Sequence, residues 1–171
     1  MSHIRTAVWD IEGDNLLDDI TTVHCLVIEN LETGQIHKFR KNKREDTIEK
    51  GLELLRTAEL NVFHNGIGFD VPAIQKIYKD FELEGRMYDT LVMSRMIFAG
   101  IKELDHNISG RSENDFTRNA RGVLPGNMIG RYGLEAWGYR LGLMKGDYKD
   151  IKEAEAKELG YDEAQTHHHV W

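Results

Sequence analysis

Apolar and polar positions alternate along residues 5–11, Arg-Thr-Ala-Val-Trp-Asp-Ile, and Gly13-Asp14-Asn15 follows at once. Alternation rich in β-branched and aromatic residues predicts a strand, and the Gly/Asp/Asn cluster predicts the loop that ends it. A second apolar run over 22–29, a turn at Glu32-Thr33-Gly34 and a third run from Gln35 to Phe39 read as a hairpin. The first three strands therefore make an antiparallel meander. From Asp46 to Ala58 the period changes, with Ile48, Leu52, Leu54 and Leu55 at helical spacing behind a capping Asp46 or Thr47. Leu60–His64 is a short apolar run ending at His64-Asn65-Gly66, which suits a buried parallel strand meeting a loop. Asp70–Asp80, with Pro72 in its first turn, reads as a helix that completes a βαβ unit. Met87–Thr90 is a further short strand, and Leu91–Ile97 opens another helix.

Residues 102–131 are polar and glycine-containing, so a long surface loop or insertion is expected there. Arg111, Arg118, Arg121 and Arg131 in that stretch fit either a solvated loop or a contact to a nucleic-acid backbone. Gly133–Leu141 and Asp150–Leu159 read as amphipathic helices. At 171 residues and 19.7 kDa, residues 1–171 are expected to form a single domain with its own core. The lone cysteine, Cys25, lies in the apolar run 23–28 and reads as a buried structural thiol. No apolar stretch reaches the roughly 20 residues a bilayer span needs, and the N-terminus lacks an apolar leader. A soluble cytoplasmic protein without a membrane partner is expected. A formal net charge of −7 argues against a dedicated duplex binder held by counterion release, but is compatible with carboxylate-metal chemistry on phosphodiesters.

The sharpest chemical feature is Asp10-Ile11-Glu12. Residues i and i+2 of a strand share a face, so the two carboxylates converge at the strand's end. Such acid pairs are more often surface charge or salt-bridge partners than a metal site. A third acid, Asp70, begins the helix after the loop His64-Asn65-Gly66-Ile67-Gly68-Phe69, where chain reversal can bring it beside the first strand. Three carboxylates from separate elements can hold two Mg²⁺ or Mn²⁺ ions about 4 Å apart, the spacing of two-metal phosphodiester hydrolysis. The terminal run His167-His168-His169 is not expected to converge on one ion, because three neighbours point apart.

Four segments together resemble the DEDD-type 3′-5′ exonuclease (proofreading) domain of bacteriophage, podovirus-type family A DNA polymerases. They are Trp9-Asp10-Ile11-Glu12-Gly13-Asp14-Asn15-Leu16-Leu17, Val62 to Ala73, Tyr88-Asp89-Thr90-Leu91-Val92-Met93-Ser94-Arg95, and Gly133 to Gly142 with Lys145-Gly146-Asp147-Tyr148. The resemblance runs from about residue 7 to about residue 150. It implies a ribonuclease-H-like (DnaQ-like exonuclease) α/β fold, with a mixed central sheet, a three-strand antiparallel meander and flanking helices. It also implies two divalent cations, Mg²⁺ or Mn²⁺, held by Asp10, Glu12 and Asp70 as catalytic acids, and a single-stranded DNA 3′ end as substrate, released as nucleoside monophosphates.

Within that resemblance Leu16 wedges against a terminal base and Asn65 hydrogen-bonds the terminal nucleotide. His64 contacts phosphate or makes a local hydrogen bond. Phe69 stacks on a base or joins the core. Asp89 supports the site from behind or caps the helix that follows. The family's fourth acid is an aspartate four residues after a tyrosine, and this spacing is absent: Lys152 follows Tyr148, and Gln165 follows Tyr161. That motif is expected just past Trp171, so the chain reads as cut short and weakened as a nuclease. The alternative is a catalytically impaired nucleic-acid or replication-protein binding module of the same fold. A DNA polymerase domain in cis or in trans is the implied partner, the host cytoplasm the implied place if the chain is phage-encoded, and the sequence sets no oligomeric state.

Overall fold

The first strand, β1 (Thr6–Gly13), sorts its residues cleanly between two faces: Ala7, Trp9 and Ile11 are buried, while Val8, Asp10 and Glu12 point the other way. The computed structural model describes residues 3–109 and 124–143. Its chain divides into two compact units, Met1–Met93 and Ser94–Trp171, which are described in turn.

In the first unit, β2 (Val23–Asn30) and β3 (Gln35–Arg40) continue antiparallel from β1, while β4 (Leu60–Phe63) and β5 (Arg86–Asp89) add in parallel on its other side. The strand order is β3-β2-β1-β4-β5. An antiparallel meander extended by parallel strands through helical crossovers is the ribonuclease-H-like arrangement expected from the sequence. Helix α1 (Ile48–Arg56) starts where Thr47 accepts the Lys50 N–H at 3.4 Å, and buries Ile48, Leu52, Leu54 and Leu55. Gly51 allows it to lie flat on the sheet, since a Cβ there would sit 2.6 Å from the Phe39 ring and 2.7 Å from Leu26. Isolated nine-residue helices are marginal in water. Burial of Ile48 and Leu55, each contributing about 1.5–3 kcal/mol, is what holds α1 in place.

Helix α2 (Asp70–Ile77) ends three residues before the expected Asp80. Tyr78 leaves the helical region at φ −110°, ψ 80°, which lets Phe81 turn into the core at 2 % exposure. Inside the sheet, Trp9 meets the Phe63 ring edge-on and donates from Nε1 to Asn61 Oδ1 at 3.0 Å, so a buried amide in β4 answers a buried indole in β1. Cys25 departs from its expected burial. It falls on the same face as Glu12 and is half-buried, because strand alternation gives the core face to Leu26 and Ile28.

Helix α3 (Thr90–Ile97) carries the chain across the boundary between units. The second unit contains α4 (Ile101–Ser109), a 3₁₀ turn at Gly126–Met128 and α5 (Leu134–Leu141), which ends at Gly142 with φ 68°. α4 corrects the expected loop over 102–131: its first eight residues, 102–109, are helical, and Ile101 and Asp105, one turn apart, are both buried. Residues 110–123, with Arg111, Arg118 and Arg121, and the expected helix at 150–159 lie outside the described residues. In this unit Asp105, at 1 % exposure, receives Arg140 in a fork of two bonds, Nε to Oδ1 at 2.9 Å and Nη2 to Oδ2 at 2.8 Å. The Gly130 N–H adds a third bond at 2.8 Å, and the Arg140 guanidinium lies over Trp137, 5.0 Å from the ring centre. Trp137 and Tyr139 are half-buried here, in keeping with a packing role. Among the described residues no helix is long and apolar enough to cross a membrane.

Candidate active site

Asp10 and Glu12 leave β1 on one face, and the chain then kinks: the pairing register with β2 shifts between Glu12 and Gly13. A bulge of this kind re-aims the last side chains of a strand. Gly13 lets the chain pack closely at the kink, since a Cβ there would lie 2.5 Å from Ile20 Cδ1 and 3.2 Å from the Thr22 carbonyl. The loop beyond is closed by Asp14, whose carboxylate accepts the N–H of Thr21 (2.9 Å) and Thr22 (3.0 Å) and the Thr21 hydroxyl. The Thr21 hydrogen bonds lead in holding the Asp14 carboxyl down at about 2. A second tie comes from Lys76 Nζ, which donates to the carbonyls of Leu17 at 3.0 Å and Asp18 at 2.6 Å. Between these two anchors Leu16 stands 80 % exposed at the tip of the loop.

Asp70 reaches β1 from the start of α2. Its Oδ1 accepts the Ile11 N–H at 3.2 Å, so the carboxyl is fixed to the backbone between Asp10 and Glu12. Burial comes first, and the negative charge of Asp10 second, in pushing Asp70 up to about 6. The two acids share a hydrogen bond that also favours the protonated form. Two carboxyls crowded at one strand end, one of them only 3 % exposed, are what a hard cation relieves. Asp10, Asp70 and Glu12 are all oxygen donors and suit Mg²⁺ or Mn²⁺ in kind. The structure brings Asp10 and Asp70 together and sets Glu12 next on the same strand face. Among the described residues, no group of three or more His, Cys, Asp or Glu side chains already converges as a metal site.

The loop between β4 and α2 is shaped by Asp89. Its Oδ1 accepts the N–H of Asn65 (2.9 Å), Leu91 (2.9 Å) and Val92 (3.4 Å), and its Oδ2 accepts that of Ile67 (3.1 Å). One carboxylate thus caps α3, one of the roles open to it in the sequence, and also holds the loop after β4. These N–H donors outweigh burial and keep it ionised. Asn65 sits at φ 67° in the left-handed region, with the N–H groups of Gly68 and Phe69 folding back onto its carbonyl. Gly66 packs where a Cβ would strike the Phe63 ring at 2.3 Å. His64 Nδ1 lies 2.9 Å from the Thr90 hydroxyl, which itself donates to the Phe63 carbonyl at 3.1 Å. Phe69 is half-buried against the core, and Asn65 is exposed. Asp147, Asp150 and Asp162, with Tyr148 and Tyr161, lie outside the described residues.

Sequence reasoning missed the Asp14 staple, although an Asx-type loop residue ahead of Thr21-Thr22 was its signal. A cavity of about 660 Å³ lies elsewhere, at the far end of α2, lined by Leu52, Arg56, Tyr78 and Phe81 among others.

No family model matches the chain. It is 39 % identical over 159 residues to the DNA-directed DNA polymerase of Enterobacteria phage T3, and 38 % identical over 159 residues to that of Escherichia phage T7. Each alignment takes in 90 % of this chain and 21 % of the relative, so the chain spans about a fifth of the curated relatives' length. Among solved structures, Brucella melitensis NrnC with bound Mg²⁺ aligns at TM-score 0.41 and 18 % identity, covering 96 % of this chain and 79 % of that one. The same protein bound to pGG aligns at TM-score 0.40 and 15 % identity, covering 96 % and 78 %.

Proposed function

We propose that the chain, 38–39 % identical to about a fifth of two phage DNA-directed DNA polymerases, is the exonuclease region of a phage-type family A DNA polymerase, and that residues 1–171 act as one exonuclease domain. It removes nucleotides from the 3′ end of single-stranded DNA. The observation that carries this reading is the Asp70 carboxyl held on the Ile11 N–H beside Asp10. Asp10, Glu12 and Asp70 would hold two divalent cations, Mg²⁺ or Mn²⁺. When bound, such ions activate water and stabilise the displaced phosphodiester oxygens.

The chain's own residues do the rest. The Ile11 N–H fixes one Asp70 oxygen and so holds the carboxyl beside Asp10. Leu16, exposed on an anchored loop, is placed to wedge against the terminal base, a contact suited to single strands. Asn65 presents its side chain from a backbone held by Asp89, in reach of the terminal nucleotide. His64 is set against Thr90, and we assign it a phosphate contact through its other ring edge. Phe69 serves the site by packing behind α2. A polymerase domain in cis or in trans is the partner this activity would proofread.

The test is degradation of a 5′-labelled single-stranded oligonucleotide with Mg²⁺ or Mn²⁺, with EDTA and Asp10→Ala as controls. The expected result is a ladder shortening from the 3′ end, reduced by about 10³-fold or more in both controls, in line with several kcal/mol of transition-state stabilisation from metal-held charge. A folded protein that gives no ladder would leave the binding-module reading in its place.

A further inference from the structure

Five of the seven residues from Lys38 to Arg44 are Lys or Arg, in a chain whose net charge is −7. All five are exposed. The sheet register shows where they lie. Asp10 pairs with Val27, which pairs with Lys38, and Glu12 pairs with Cys25, which pairs with Arg40. Residues directly opposite across antiparallel strands share a face, so Lys38 and Arg40 stand in the same two cross-strand rows as the candidate metal-binding acids. With strands about 4.8 Å apart, they are roughly 10 Å away. Lys41, Lys43 and Arg44 prolong the charge past the end of β3, at the end of the sheet where Glu12 lies. Lys41 Nζ is tied to the Thr22 hydroxyl at 3.1 Å, beside the Asp14 loop. Glu45 and Asp46 close the run.

We propose that the Lys38–Arg44 edge is a phosphate-binding track for the single strand whose 3′ end reaches Asp10 and Glu12, a proposal that rests on the exonuclease reading. The carboxylate corner repels a polyanion until cations are bound, and a basic strip a few nucleotides upstream offsets that repulsion and sets the strand's direction across the sheet. Lysine on an edge strand also guards against edge-to-edge pairing. That role alone explains neither the common rows with the acids nor the continuation into the loop after β3.

The experiment is fluorescence anisotropy of a labelled thymidine oligonucleotide of about 12 nucleotides, in EDTA so that no cleavage occurs. It compares the wild type with the double variant Lys38→Ala/Arg40→Ala and, in case the strand variant misfolds, with Lys43→Ala/Arg44→Ala in the loop. Lys79→Ala, on the exposed turn after α2, controls for lost charge. Each double variant should weaken binding roughly tenfold at low salt and reduce the slope of log K against log salt by about 1.4, the loss of two contacts to a single strand. The penalty should shrink for a dinucleotide, too short to span both places. The proposal is overturned if wild type does not bind, if Lys79→Ala weakens binding as much, or if the double variants bind as wild type and merely aggregate. Binding with these losses but no cleavage in Mg²⁺ would leave the track standing and remove the nuclease reading instead.

Discussion

Two buried aspartates, one in each unit, solve the same problem in opposite ways. Asp105 is 1 % exposed and Asp70 is 3 % exposed, so both carboxylates are out of water. Asp105 is answered by the Arg140 fork and the Gly130 N–H, and these hold its carboxyl below the usual range against the cost of burial. Asp70 is met by the backbone N–H groups of Ile11 and of Asp70 itself, faces another acid, and is pushed up, by burial first, to about 6. The first carboxylate has its charge answered within the protein alone. The second is complete only with a proton or a cation. A buried acid left short of positive charge costs stability, and sites that keep one are those where the missing charge is supplied by something bound.

The comparison breaks most visibly at Arg140. Arg140→Ala strands Asp105 in the interior, and removing one partner of a buried pair costs about 3–5 kcal/mol. In urea the second unit should lose its fold at lower concentration, read through Trp137, while Trp9 reports the first unit nearly unchanged. Coincident loss of both signals at the wild-type midpoint would show that the fork contributes little.

At Asp70 the sign reverses. Its folded pKa of about 6 lies above the 3.8 of an aspartate in water, so the folded form holds the proton more tightly than the unfolded chain. Stability from this group is therefore fully present below about pH 4 and is lost as pH rises through about 6. Asp70→Asn keeps an oxygen for the Ile11 N–H and removes the repulsion from Asp10. The variant should be more stable than metal-free wild type at neutral pH by about 1–3 kcal/mol, equal to it near pH 4, and inactive as a nuclease. Parallel urea titrations at the two pH values check this. Equal stability of the two proteins at both would mean that Asp70 is not strained by its neighbour. For Asp105 the slope runs the other way, with stability lost as acid protonates it.

How much of this was legible follows from the range of each interaction. The meander, α1 with its Thr47 cap, and the common face of Asp10 and Glu12 are set by periods of two and 3.6 residues, which are local and show in the sequence. Asp70 could be placed because a short loop after a buried strand leaves few routes back to β1. Residues 102–109 read as loop because the stretch 102–131 is polar and glycine-containing, and the helix that forms there is anchored by Ile101 and Asp105, one of them a charge. Its partner Arg140 is 35 residues away, and pairing at that separation leaves no local mark. The basic run 38–44 was visible but averaged away in the net charge, and only the cross-strand register gives it a direction.

The smallest effect tests whether the Asp70 corner is strained in its backbone as well as its charge. Asn65 sits at φ 67°, a region that costs most non-glycine residues about 1–2 kcal/mol, and asparagine less. It is held there by the Asp89 carboxylate on its N–H. Asn65→Gly keeps that backbone and deletes the side chain, whereas Asn65→Ala deletes the side chain and keeps the cost of the left-handed region. The glycine variant should match wild-type stability within about 0.5 kcal/mol and the alanine variant should fall below it by about 1 kcal/mol. Both should raise the KM for a single-stranded oligonucleotide, since both lack the amide. If KM rises only in the alanine variant, the loop's backbone and not the Asn65 amide meets the substrate, and the comparison with the unstrained Asp105 site becomes one of geometry as well as charge.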